Sequence, residues 1–137
     1  MKTNKGLTLM ELTIVLAVLA IIGLILSPMF TQTTDRARLR SDIQSAQVIQ
    51  NAMDLYRVER GRSVVGANME EVLTRLNIAG MLSAQVEDIQ TEDAEWIMNA
   101  DRTEVRVDIS SSPDNIHRAY SGLTDDEQEF VLGWRNP

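Results

Sequence analysis

The sequence predicts an α+β fold in which a long N-terminal α-helix packs on a small head. Residues 12–34 carry no charged side chain, and the run is long and apolar enough to cross a membrane as a helix. Apolar residues then recur every three or four positions over residues 39–56, which is the spacing of an amphipathic helix. Val105, Val107 and Ile109 alternate with charged residues, as in a half-buried strand. The head is therefore predicted to hold a short antiparallel β-hairpin or sheet together with short helices.

Helix one is predicted to run from Leu7 to about Arg60, because no strong break interrupts its pattern. Gly61 suits the end of such a helix, since glycine readily adopts the left-handed conformation found there. Pro28 removes one backbone hydrogen bond, and Gly23 has a low helix propensity. We expect these two residues to loosen the helix without ending it.

The second half of helix one carries an apolar stripe on one face and charged residues around it. Arg36, Arg38 and Arg40 form a basic cluster, which we interpret as a solvated face paired with Asp35 and Asp42. The predicted stripe contains Leu39, Ile43, Ala46, Ile49, Met53 and Tyr56, widened by Val48, Ala52 and Leu55.

The head begins with a predicted short helix. Asn68 can cap it, with Glu71 three residues later in a capping-box-like pattern, and Gly80 ends the unit. The helix should bury Val72 and its apolar neighbours Leu73 and Leu76. Residues 83–95 are polar and acidic and are predicted to form an irregular loop.

The remainder of the head follows from alternation and capping signals. Residues 94–98 should pair with the alternating strand. Ser112 is predicted to cap a helix over residues 113–120 that starts at a proline. Thr124 and Glu127 repeat the capping-box spacing and open the segment DDEQEFVLGW.

Composition excludes several kinds of chemistry. The 137 residues carry a net charge of -7 and no cysteine, so disulfides, thiolate metal sites and cysteine nucleophiles are absent. Both lysines lie at positions 2 and 5, and without residues 1–6 the chain has 11 basic groups against 20 acidic ones. Such an acidic body is repelled by phosphate backbones, so nucleic acid is not expected as a partner.

No residue pattern predicts an enzyme. His117 is the only histidine, and a lone histidine beside an aspartate is most often structural or exposed. Residues 92–95 and 125–127 are acidic but lack the spacing of a calcium loop, so we predict neither a metal nor a cofactor. Trp96 and Trp134 are interpreted as core or subunit contacts.

The N-terminus resembles a secretory signal only in part. Lys2 and Lys5 precede the apolar run, as the positive region of a signal peptide does. The residues that follow the run, LILSPMF, contain no small-residue cleavage pattern. Removal of the apolar helix at that point is therefore not expected.

The stretch K-G-L-T-L-M-E-L, from Lys5 to Leu12, resembles the class III leader of type IV prepilins and type II secretion pseudopilins. The resemblance implies that a prepilin peptidase cuts between Gly6 and Leu7, and that the new amine of Leu7 is methylated. It also places Glu11 where the family's glutamate pairs with the amine of a neighbouring subunit during assembly. Leu7 departs from the phenylalanine that most members have. The alternative for Glu11 is an interfacial carboxylate that reaches back to water.

The resemblance implies four segments and a filament. Residues 1–6 would be the leader, 7–30 the transmembrane and polymerisation helix, 31–62 its amphipathic continuation, and 63–137 the head. The precursor would lie in the inner membrane with its N-terminus in the cytoplasm, and the product would be an extracellular or periplasmic filament. Its partners would be copies of itself, the peptidase, and an inner-membrane assembly platform with its ATPase.

Several functions remain open at this stage. Within the family they are a major pilin, a minor pilin, a pseudopilin of a type II secretion system, and a competence pilin that binds DNA. Outside it, a bitopic membrane protein with a small ligand-sensing outer domain would have the same apolar helix but would keep residues 1–6.

Overall fold

The computed structural model describes residues 8–82, 86 and 88–137. Among these residues the order of elements is α1 (Leu9–Arg60), α2 (Met69–Ile78), β1 (Glu95–Met98), β2 (Val105–Asp108), α3 (Asp114–Tyr120), α4 (Asp125–Glu129) and β3 (Val131–Leu132). The predicted α+β fold, with a long N-terminal helix and a small head, is confirmed.

Helix α1 is one continuous helix of 52 residues, or about 78 Å at the usual rise. Thr8 caps its start, and Gly61 ends it in the left-handed conformation at φ 66°. The amide of Gly61 donates to the carbonyl of Arg57 at 2.9 Å, which closes the last turn. Gly23 and Pro28 both lie inside the helix, so the loosening expected of them stays a prediction.

The core forms between one face of the second half of α1 and the head. The stripe prediction is confirmed on the face that the head covers, whereas Val48 and Leu55 are 44% and 45% exposed on another face. The head therefore covers a narrower band of the helix than the sequence pattern predicts. The buried apolar residues of α1 are Leu39, Ile43, Ala46, Ile49, Ala52 and Met53, and Tyr56 packs at their edge.

The sheet has the order β1-β2-β3, with β2 at its centre. Strands β1 and β2 are antiparallel, with Trp96 opposite Val107, as the hairpin prediction requires. Val105, Val107 and Ile109 are fully buried, so their predicted inward direction is confirmed. This alternating strand supplies the middle of the core.

Strand β3 was not predicted. Helix α4 ends at Glu129, and β3 pairs in parallel with β2 so that Val107 lies opposite Val131. A parallel pair needs a crossover connection, and here α3 and α4 provide it. The segment that follows Thr124 is thus a short helix and then a strand.

Two predicted caps form, and a third is replaced. Thr124 and Glu127 make the complete capping box, while Glu71 donates its amide to Asn68 and bonds through its own carboxylate to the amide of Ala67. The predicted cap at Ser112 is wrong. Pro113 is the cap residue of α3, and no side chain caps that helix.

The Ser112 side chain serves a different contact. Its hydroxyl donates to the carbonyl oxygen of Glu92 at 2.7 Å and is fully buried. Ser112 therefore holds the loop before β1 instead of the first turn of α3.

Candidate assembly site on the first helix

None of the described residues covers the first half of α1. Every residue from 9 to 34 is exposed, and large apolar side chains such as Leu12, Leu19 and Phe30 are 52%, 58% and 67% exposed. By length and composition this is a helix that can cross a membrane. An apolar surface of this extent requires lipid or other protein chains around it.

The first turn of α1 contains a capping box made by Thr8 and Glu11. The Thr8 hydroxyl oxygen accepts the Glu11 amide at 3.2 Å, and Glu11 Oε2 accepts the Thr8 amide at 2.9 Å. Oε2 also accepts the Thr8 hydroxyl at 3.1 Å. Within the described residues no group donates to Oε1. Glu11 therefore stabilises its own helix start and keeps one oxygen for another donor.

This capping role of Glu11 was missed from the sequence. The signal was present, because Thr8 and Glu11 have the same T-x-x-E spacing that identified the cap of α4. Gly6 and Leu7, which the resemblance assigns to cleavage and methylation, lie outside the described residues.

The two residues predicted to loosen the helix lie in different surroundings. A Cβ atom added to Gly23 would meet no atom within 4 Å, so packing within the single chain does not require a glycine at this position. Pro28 lines a cleft between α1 and the head. Neither residue contacts Glu11, which lies at the far end of the uncovered half.

Asp42 fixes the head to the second half of α1. The residue is 1% exposed, and its two carboxylate oxygens accept the backbone amides of Gln90 at 2.8 Å and Thr91 at 2.7 Å. Its own carbonyl oxygen accepts the indole N–H of Trp96 at 3.2 Å. The acid compensates for its burial by bonding directly to the backbone of the head.

The interpretation of Asp35 and Asp42 as solvated partners of the arginines is wrong. Asp35 is 4% exposed and accepts the side-chain amide of Asn115 at 2.8 Å. Both aspartates fall on the spacing of the core stripe, which was the signal for their burial.

Arg40 pairs with the head and not with its own helix. Its guanidinium contacts Glu127 Oε1 at 2.8 Å. The pKa of Glu127 lies below its usual value because its carboxylate accepts the Thr124 amide and, secondarily, the Arg40 guanidinium. The half-exposed pair links α1 to the first turn of α4.

His117 joins the last residues of the chain to α3. Its ring is fully buried, and Nδ1 accepts the backbone amide of Arg135 at 3.3 Å. The Trp134 indole donates to the His117 carbonyl oxygen at 3.1 Å and stacks on Tyr120. In the part of the chain that the structure describes, no three acidic or histidine side chains form a group that could hold a metal ion.

Comparison with known proteins gives one informative similarity. The chain is 33% identical over 79 residues to a protein of Clostridium perfringens (strain 13 / Type A) named prepilin peptidase-dependent protein A. The matched region is 56% of this chain and 56% of that protein, so the chain spans about half the length of this curated relative. No family model and no solved structure matches the chain. The similarity and the long uncovered apolar helix are both consistent with a pilin-like protein.

Proposed function

We propose that the chain is a structural subunit that polymerises through α1 into a type IV pilus-like filament, as a pilin or as a pseudopilin of a type II secretion system. The observation that carries the proposal is the uncovered half of α1, whose residues 9–34 are all exposed. Before assembly the subunit lies in the inner membrane, where lipid covers this surface. In the extracellular or periplasmic filament the same surface packs on the helices of other copies.

Processing supplies the chemical group that the filament needs. A prepilin peptidase cuts between Gly6 and Leu7, and methylation leaves a positively charged amine on Leu7. This amine then lies one residue before Thr8, the cap of α1. The similarity to a protein whose name states dependence on prepilin peptidase supports this step. An assembly platform and its ATPase then extract the subunit from the membrane.

Glu11 then has two functions that can be separated. Oε2 caps the helix by accepting two bonds from Thr8, and Oε1 accepts the amine of Leu7 from a neighbouring subunit. Opposite charges attract far more strongly when water is excluded, as it is between packed apolar helices. A misplaced neighbour would leave both charges unpaired, so the pair also fixes the register of the subunits.

Two substitutions at Glu11 separate capping from charge pairing. Glu11→Gln keeps a side chain that can complete the capping box but removes the negative charge, whereas Glu11→Ala removes both. We expect both variants to insert and to be cleaved, and both to yield at least about tenfold fewer filaments, corresponding to the loss of about 1.4 kcal/mol or more per contact. Sheared filaments would be quantified by immunoblot against membrane-bound subunit.

Thr8→Ala is the matched control, because it removes the cap hydroxyl and leaves the charge of Glu11. Its filament yield should stay near that of the unchanged chain. Normal filament yield from Glu11→Gln would reject the charge pair. A loss confined to Glu11→Ala would assign the residue to capping alone.

The intact mass of the purified chain tests the whole proposal. A mature subunit lacks residues 1–6 and carries one additional methyl group. A chain that retains Met1 to Gly6 has no amine at Leu7 to pair with Glu11, which would favour a bitopic sensor over a filament subunit.

A further inference from the structure

A cleft opens where the head meets the end of the apolar half of α1. Its volume is about 420 Å³, which lies within the range of small-molecule sites. The residues that line it are Pro28, Thr31, Gln32, Asp35, Asn115 and Arg118. The cleft therefore combines a wall of α1 with a wall of α3.

The position of the cleft along α1 matches the headgroup layer of a membrane. Residues 12–30 span about 28 Å, close to the thickness of the hydrocarbon core. Asp35 then lies about 7 Å farther along the helix, in the outer part of the phospholipid headgroup layer, which is about 5–7.5 Å thick on each side. This placement rests on the proposed insertion of α1 with its N-terminus in the cytoplasm.

One wall of the cleft carries a buried acid. Asp35 is 4% exposed, and its Oδ2 accepts the side-chain amide of Asn115 at 2.8 Å. Among the described residues no group donates to Oδ1. A buried carboxylate of this kind is stabilised by a further donor, and most strongly by a cation.

The opposite wall carries a positively charged side chain. Arg118 is exposed, and it forms no ion pair with Asp35 or with another acid among the described residues. A guanidinium binds phosphate oxygens through paired N–H groups. The cleft thus presents a carboxylate and a guanidinium that are not joined to each other.

We propose that this cleft binds the headgroup of an ethanolamine phospholipid in the outer leaflet. The phosphate lies at Arg118, and the primary ammonium donates to Asp35. A choline headgroup has the same charges, but its quaternary ammonium has no N–H to donate. A glycerol headgroup has the phosphate and no cation. The bound lipid would fix the height and rotation of the subunit before assembly.

Lipid retention tests the site on the full-length chain. The protein is placed in nanodiscs that contain equal amounts of ethanolamine, choline and glycerol phospholipids with identical acyl chains. After mild detergent extraction, the lipids that remain bound are quantified by mass spectrometry. We expect the ethanolamine lipid to be enriched about fivefold over the other two, because one charge-assisted hydrogen bond distinguishes it.

Three variants assign the enrichment to the cleft. Asp35→Asn should reduce the preference over choline lipid to nearly one, and Arg118→Gln should lower retention of both zwitterionic lipids. Arg38→Gln is the matched control, because Arg38 is an exposed arginine three residues after Asp35 that does not line the cleft. Tryptophan fluorescence checks that each head is folded. If Asp35→Asn does not fold, Arg118→Gln tests the site, because Arg118 is exposed and its substitution does not disturb the core.

The outcomes separate the site from the proposed function. Insertion without headgroup selectivity rejects the lipid site alone. An equal loss from Arg38→Gln also rejects it, since any surface arginine would then have the same effect. Failure of α1 to insert rejects the proposed function and the lipid site together.

Discussion

The two halves of α1 belong to one continuous helix but differ in what covers them. Residues 9–34 contain no buried side chain, whereas residues 35–60 contain eight. The difference arises from the side chains, because the first half is apolar on all faces and the second on one. The second half folds together with the head of its own chain. The first half must be covered by lipid or by other chains.

The boundary between the halves is polar. Asp35 is the first buried residue of α1, and Asp42 follows two turns later. Both bond to the head through hydrogen bonds, so the head is aligned on the helix by specific contacts as well as by apolar packing. The second half of α1 and the head are therefore joined by directed hydrogen bonds at the start of their contact.

One leucine from each half gives the sharpest test of this contrast. Leu39 is 0% exposed and Leu19 is 58% exposed. Leu39→Ala should lower the free energy of unfolding of the head by about 3 kcal/mol through lost burial and a cavity. Leu19→Ala should leave it unchanged within about 0.5 kcal/mol. Urea unfolding in a mild detergent, followed by tryptophan fluorescence, measures both.

Substitutions in the first half of α1 should instead change filament yield. Leu19→Ala should reduce filament yield if that surface packs on neighbouring helices, even though the head is as stable as before. Equal destabilisation of the head by the two substitutions would contradict the division of α1 into an uncovered and a covered half.

Asp42 tests the polar part of the junction. Asp42→Ala leaves the buried amide of Thr91 without its acceptor, so we expect a loss of about 2–3 kcal/mol in the free energy of unfolding. Asp42→Asn keeps one acceptor oxygen and should cost about half as much. A neutral effect of Asp42→Ala in the same urea experiment would show that the carboxylate does not hold the loop.

The sequence allowed the regular elements to be predicted because each depends on a local pattern. The helical spacing and Gly61 located α1 and its end, and strict alternation located β2. Strand β3 has only two residues, and its pairing depends on the path that α3 and α4 impose on the chain. No local pattern of this length separates such a strand from the end of a helix.

The site was predicted less completely than the fold. Glu11 was identified from the leader resemblance, yet its bonds to Thr8 became visible only in the structure. Asp35 and Asp42 were interpreted as surface charges because aspartate is rarely buried without a partner. Their partners come from distant segments, at Asn115 and at residues 90–91, and sequence spacing does not reveal such contacts.

Two glycines extend the comparison of the halves to the backbone. Gly61 has φ 66°, so Gly61→Ala should cost about 1 kcal/mol in the same unfolding experiment. Gly23 is helical with open space around it, so Gly23→Ala should leave the stability of the head unchanged. If Gly23 loosens α1 during assembly, its substitution should lower filament yield. An unaltered yield would remove Gly23 from that role.

The Arg40–Glu127 pair offers the smallest and most specific effect. The pKa of Glu127 is lowered in the fold, so its contribution to stability is present above the ordinary glutamate pKa of about 4.3. That contribution is lost as the pH falls through the lower pKa of the folded state. Both side chains are partly exposed, so solvent screening limits the pair to about 0.5 kcal/mol.

Glu127→Gln isolates this pair, because glutamine can keep the cap on Thr124 while it loses the charge. The variant should be less stable by about 0.5 kcal/mol at pH 7, and the difference should shrink as the pH falls through the lowered pKa of Glu127. Arg40→Gln should show a smaller loss over the same pH range, because the Thr124 amide still bonds to Glu127, and adding Arg40→Gln to Glu127→Gln should cause no further loss. A difference that does not shrink at any acidic pH at which the head is still folded would assign the effect to packing. In that case the junction of the covered half with α4 would not depend on charge.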